Sequence, residues 1–305
     1  MEFDLENPLP PWNENFPALF NKENDHMPSK NYIHSLISSG SNLAIRHKIA
    51  SSIVDISREF DPFLPYLAVN YMDRFLSAQS IPDGKPWIFR LVSVSCISLA
   101  LKMRKTEFSV SDLMDDGGLM FNSVTIERME MLILGALQWR MRSINPFSFV
   151  NYFISFFKSD DKPSIQSLKN RATEIILKAQ NDIKLLEFKP SIIAASALLS
   201  ASYEFFPMQF QPFRDAICGC FYVIKEDLQH CYDIMQEAAA AGCSAAVLRS
   251  LTPANVLDFS SSISDSQSNE MSEAGISGSE IRGIRRQKIE HFATNNSSQL
   301  SQKHQ

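Results

Sequence analysis

The chain has 305 residues, enough for two domains of ordinary size plus tails; 45% of them are apolar, and phenylalanine is frequent at 22. Its net charge of −5 argues against a protein built mainly to coat nucleic acid. Five cysteines (Cys96, Cys218, Cys220, Cys231 and Cys243) and no signal peptide fit a reduced intracellular compartment. The apolar run from Ile88 to Leu101 contains Arg90 and several serines and reads as too short to span a bilayer, so a soluble, non-secreted protein is expected.

Residues 1–26 lack periodicity and read as a flexible lead-in. Pro28 opens a short helix that reaches Ile37 and is broken by Ser39-Gly40-Ser41-Asn42. The spacing of Ile45, Ile49, Ile53 and Ile56 predicts a helix from Leu43 to Glu59. After Asp61-Pro62 comes a helix apolar nearly all round: Leu64, Leu67, Ala68, Tyr71 and Phe75 on one face, Val69, Met72 and Leu76 on another. Such a helix belongs inside a helical domain, yet it carries Asp73-Arg74, and a buried carboxylate demands a partner.

Pro82-Asp83-Gly84 is a turn, and Pro86 suits the first turn of a helix running to Arg104. There Ser93, Ser95, Cys96, Ser98 and Ala100 alternate with large apolar residues, as expected of a central helix approached closely by neighbours. A short helix around Val110–Met114 and a helix from Ser123, as N-cap, to Trp139 complete a first domain over 27–144. Asn145-Pro146 begins a second domain, 145–249, with helices expected at 146–157, 163–184, 190–204, 210–220 and 225–241. Its Pro190 helix repeats the small-residue style with Ala194, Ala195, Ser196, Ala197, Ser200 and Ala201. Residues 250–305 are Ser-rich and polar and read as a disordered tail. The fold class is all-α: two consecutive helical bundles with disordered termini.

Three stretches carry a family resemblance: Val69-Asn70-Tyr71-Met72-Asp73-Arg74-Phe75-Leu76-Ser77, Ser98-Leu99-Ala100-Leu101-Lys102-Met103-Arg104-Lys105-Thr106-Glu107, and Arg128 to Met141 followed by Asn145-Pro146-Phe147-Ser148-Phe149. In order and spacing they resemble the cyclin box, and the last closely resembles plant D-type cyclins. No cysteine precedes Cys96, so the Leu-x-Cys-x-Glu motif for retinoblastoma-like proteins is absent, which is similar to the sixth plant D-type subgroup.

The resemblance implies a regulatory subunit, itself not an enzyme, that binds and activates a cyclin-dependent kinase at the G1-to-S transition in the nucleus. It needs no cofactor and no metal, and binds no nucleic acid and no membrane. Kinase inhibitor proteins are further candidate partners. Lys102 and Glu130 match the family's polar kinase contacts, with Leu101, Met103, Ile133 and Leu134 as apolar additions. From the residues alone, Lys102 and Glu130 pairing with each other or snorkelling to water stays open, and the four apolar residues fit a core as well. Arg46 matches the arginine that pairs with the box aspartate, here Asp73. Ile45, Ile49 and Ser52 match a patch that docks Arg-x-Leu peptides, but Ser52 stands where the family usually has Trp, which removes much of the pocket.

Elsewhere the signals are weaker. Cys218 and Cys220 lie about 200° apart on a helix, a poor basis for a metal site with His230 and Cys231. Thr252-Pro253 is a candidate proline-directed phosphorylation site, and Arg282, Arg285, Arg286 and Lys288 form a small basic cluster suited to nuclear import. The alternative reading is a two-box general transcription factor that binds DNA, disfavoured by the acidic balance and by the lack of any cysteine for an N-terminal zinc ribbon.

Overall fold

A computed structural model describes residues 16–81, 85–106, 121–159 and 161–250, leaving aside the side chains of 238–250. Among these residues there are helices and no strand: α1 (Phe16–Lys22), α2 (Lys30–Ser38), α3 (Gly40–Ile56), α4 (Phe63–Ala78), α5 (Pro86–Met103), α6 (Ser123–Ala136), α7 (Phe147–Ile154), α8 (Lys162–Ala179), α9 (Pro190–Phe205), α10 (Pro207–Cys218) and α11 (Lys225–Ser250). The expected helix at 110–114, the tail and Thr252 lie outside the described residues.

Two helices organise the packing. α5 is wrapped by α3, α4 and α6, and α9 by α7, α8, α10 and α11. The reason is side-chain size: Ser93, Ser95, Ser98 and Ala100 on α5, and Ala194, Ala195, Ser196, Ala197 and Ser200 on α9, are fully buried and let neighbouring backbones come close. α5 is 18 residues long and apolar enough to cross a membrane by length and composition, more than its central apolar run suggested. It is the enclosed core helix of the first bundle.

Local chemistry sets the ends. Ser29 caps α2 by accepting from the Tyr32 N–H, and Ser39 caps α3 through Asn42. α6 is capped by Asn122 rather than Ser123, its side chain accepting from the Thr125 N–H at 2.8 Å. α8 stops at Ala179, short of the expected 184, because Asp182 accepts from the Lys184 N–H and starts a separate 3-10 turn at Ile183–Glu187. α11 continues past the expected end at 241 to Ser250.

The largest correction concerns the lead-in. Residues 16–26 are not a flexible segment but α1 and a 3-10 turn, Glu23–His26, seated on the second bundle. The Phe20 ring stacks on Tyr222 at 4.2 Å and meets Phe149 and Tyr152, while Phe16 lies 4.8 Å from Tyr152. Glu23 is buried and accepts from both the backbone N–H (2.9 Å) and the hydroxyl (3.0 Å) of Ser191, at the start of α9. A carboxylate there also meets the positive end of the helix dipole. Burial raises the Glu23 pKa above its ordinary value, against the opposing effects of Ser191 and of Lys189 at 3.9 Å.

Candidate functional site

The inward stripe of α3 is Arg46, Ile49, Ala50 and Ile53, at i, i+3, i+4 and i+7. It places a guanidinium inside the bundle, where only a matched anion makes burial tolerable. Asp73 supplies it. Arg46 Nε donates to Asp73 Oδ1 at 2.8 Å and Nη2 to Oδ2 at 2.9 Å, a two-pronged pair with side chains 0% and 4% exposed. Tyr32 Oη donates a third bond to Oδ1 at 2.9 Å, and Arg46 Nη1 donates to the Asn181 carbonyl at 3.2 Å. Burial alone would lower the Arg46 pKa, but Asp73 and Tyr32 outweigh it and hold the group charged. This pair ties α2, α3 and α4 together and reaches the connection after α8.

Arg74, one residue on, points elsewhere. Its Nη1 donates to the Arg140 carbonyl at 3.0 Å and to Ser143 Oγ at 2.9 Å, and Tyr71 Oη donates to the Met141 carbonyl at 2.7 Å. The adjacent Asp73 and Arg74 thus clamp opposite neighbours, with α4 gripping the connector between the bundles. In that connector Gln138 and Trp139 adopt positive φ of 53° and 59°, a conformation disfavoured for residues with a Cβ.

Glu130 lies on the inward stripe of α6 with Ile126, Ile133 and Leu137, at i, i+4, i+7 and i+11. Its Oε2 meets Lys102 Nζ, at the end of α5, at 2.6 Å. Lys102 is 51% exposed while the Glu130 side chain is 7% exposed. Glu130 Oε1 is shut off from solvent and has no hydrogen-bond partner among the described residues. The two polar residues therefore pair with each other, and the pair retains one unfilled acceptor.

Around this pair two assignments need correction. Leu101 and Ile133 are fully buried in the chain's own core and have no surface to offer a partner. Both elements are apolar on several faces, so sequence gave no sign of which face turns inward. Met103 and Leu134 are partly buried against the same core, and the exposed apolar residues of α6 are Val124, Met131 and Leu132. The docking-patch positions fare similarly. Ile49 is wholly buried, because it belongs to the inward stripe of α3, and only Ile45 and Ser52 keep partial exposure.

Among the described residues no three His, Cys, Asp or Glu side chains gather as metal ligands. Cys231 is buried, His230 packs edge-on against Phe188, and Cys220 lies 3.6 Å from Tyr152 Oη. Residues missed in sequence are Tyr32, which completes the Asp73 shell, and Glu23. Tyr32 had a faint signal in the buried stripe it shares with Ile33 and Leu36.

Comparison with known proteins accounts for this arrangement. Residues 14–142 match the cyclin N-terminal domain and 144–265 the cyclin C-terminal domain. The chain belongs to the cyclin family. A protein described as putative cyclin-D6-1 of Arabidopsis thaliana is 49% identical over 253 residues, 78% of this chain and 83% of that one. Cyclin-D6-1 of Oryza sativa subsp. japonica is 34% identical over 295 residues, 93% and 90%. In fold, a viral cyclin from herpesvirus saimiri covers 76% of this chain and 100% of its own with a TM-score of 0.61, at 17% identity. Its relatives make this a plant D-type cyclin, a regulatory subunit and not itself a catalyst; the DNA-binding alternative is not favoured.

Proposed function

We propose that this cyclin binds and activates a cyclin-dependent kinase at the G1-to-S transition, acting in the nucleus. The observation that carries the reading is the unfinished Lys102–Glu130 pair. A buried acceptor without a donor costs about 1–3 kcal/mol, so Glu130 Oε1 favours a partner that brings an N–H or O–H to it. Lys102, half-exposed, keeps donors free for a carbonyl of the same partner. Met131 and Leu132 add exposed apolar surface on the same helix. A kinase requires its strand Lys paired with the Glu of a mobile helix. A rigid bundle that binds the inward position of that helix better than the outward one shifts the population toward activity. The nuclear assignment rests on the basic cluster Arg282, Arg285, Arg286 and Lys288.

The test is co-purification of the full chain from dividing plant cells, identification of the bound kinase, and reconstitution of the two purified proteins. Phosphorylation of a protein substrate should require both. A chain that recovers no kinase, or that leaves the recovered kinase as inactive as before, would overturn the reading.

A further inference from the structure

Near the end of α4 stands a buried cation without an anion. Arg74 is 7% exposed, and among the described residues no carboxylate pairs with it. Its Nη1 is engaged by the Arg140 carbonyl and Ser143 Oγ. Its Nε and Nη2 donate to nothing among the described residues. A buried charge normally has a counter-ion, as Arg46 has in Asp73. Burial lowers the Arg74 pKa to about 10, with Tyr71 opposing and Arg140 adding to the effect, so the group stays charged at neutral pH.

A second unsatisfied group lies close by. His26, at the end of the 3-10 turn, is 9% exposed, and its Nδ1 has no hydrogen-bond partner among the described residues. Burial first, and then Arg74 and Arg140, bring its pKa down to about 4; Lys22 adds to this and Asp25 opposes it. Arg74 and Arg140 both line a groove of about 1140 Å³. One wall is α2, whose Lys30, Ile33, His34 and Ile37 fall at i, i+3, i+4 and i+7. Three acids line the groove too. Asp25 meets Arg140 at 3.3 Å, both half-exposed, while Glu187 and Asp227 come with Lys189 from the second bundle. None of the three pairs with Arg74.

We infer that this groove receives a phosphorylated serine or threonine of a partner protein, its phosphoryl group on Arg74 and Arg140 and its flanking residues along Ile33 and Ile37. The Arg74 guanidinium ends on the Arg140 backbone, so two arginines adjoin, one of them with donors to spare. That suits a dianion with three acceptor oxygens better than a single carboxylate. Asp25 occupies Arg140 in the free chain, but a half-exposed pair of this kind is weak, and a dianion displaces it. The volume far exceeds one phosphate ion, and the exposed Ile37 gives the α2 wall an apolar strip, so a peptide fits where a bare ion leaves the groove open. Neither Lys102 nor Glu130 lines it, so the inference stands apart from the activating reading.

The probe is a short fluorescein-labelled peptide of Ala and Leu around one phosphoserine, titrated against the full chain and read by polarisation beside its unphosphorylated twin. The phosphorylated form should bind about tenfold tighter or more, with an affinity that falls as salt rises. Arg140→Glu should abolish that preference. It reverses a half-exposed side chain and leaves in place the backbone carbonyl that Arg74 uses, so the fold should persist. Asp25→Asn should tighten phosphopeptide binding by about threefold, a gain that a purely structural ion pair would not give. The His26 ring gives an independent readout by NMR: saturation with the phosphopeptide should raise its pKa from about 4 toward the ordinary 6.5. Equal binding of the two peptides, no binding of the phosphorylated one, or an undiminished preference in Arg140→Glu would overturn the inference. So would inorganic phosphate displacing the peptide at equal concentration, which would reduce the groove to an ion site.

Discussion

Two ion pairs in the first bundle stand in opposite states of completion. Arg46 and Asp73 share two hydrogen bonds out of solvent; Asp73 accepts a third from Tyr32, and Arg46 donates a further one to the Asn181 carbonyl. Lys102 and Glu130 share one bond, with the lysine half in water and one glutamate oxygen unfilled. Both come from the same pattern, a charged residue on a helix stripe that the fold turns inward. The difference lies in what remains to be satisfied. A saturated pair has no capacity left and holds helices together, whereas an unsaturated pair at the edge of the bundle keeps capacity for something that arrives later.

That contrast breaks first at the saturated pair. Arg46→Met or Asp73→Leu strands the remaining charge and should cost about 3–5 kcal/mol of stability, read by chemical denaturation. The double variant should lose less than the sum of the two, because the pair fails as a unit. Additive losses would place Arg46 and Asp73 in separate roles.

Glu23 sharpens the comparison, being buried and hydrogen-bonded without a full countercharge. Glu23→Ala leaves the Ser191 N–H and hydroxyl without their acceptor and should cost about 1–3 kcal/mol. Its pH dependence has a definite sign. Burial raises its folded pKa above the ordinary 4.5, so the folded chain holds this proton more readily than the unfolded one. The stability of the wild type relative to Glu23→Gln should therefore be greatest below pH 4.5 and decline as pH rises through the raised folded value. Parallel denaturation series of the two proteins measure it, and a difference that grows toward neutral pH would contradict the burial argument.

The smallest effect is expected at the open pair. Lys102→Ala removes a half-exposed side chain but also the donor to the nearly buried Glu130 Oε2, and should cost the isolated chain about 1 kcal/mol, the low end of what a stranded buried acceptor costs. A loss as large as that of Arg46→Met would mean the two pairs do the same job.

Much of this architecture was legible in the chain because it is written locally. Proline and glycine mark most helix starts and breaks, and serine and alanine between large apolar residues mark α5 and α9 as central. What failed was information carried by distant contacts. α1 is short, and its Phe16 and Phe20 acquire meaning only against Phe149, Tyr152 and Tyr222, far along the chain. Leu101 and Ile133 were misplaced because a helix apolar on several faces does not announce its inward side; Ile49 was placed in the docking patch by the resemblance, although its spacing with Ile53 already marked an inward stripe. Periodicity alone left the Arg46–Asp73 pairing unspecified, and the family resemblance supplied it.

The central claim is that the Lys102–Glu130 pair is a partner contact and not a fold element. The direct measurement is calorimetric titration of the co-purifying kinase with the Lys102→Ala, Glu130→Ala double variant, beside thermal denaturation of the same protein. The account predicts binding weakened by about 2–5 kcal/mol in a chain whose helical content and cooperative melting persist. Normal affinity, with kinase activation intact, would contradict it.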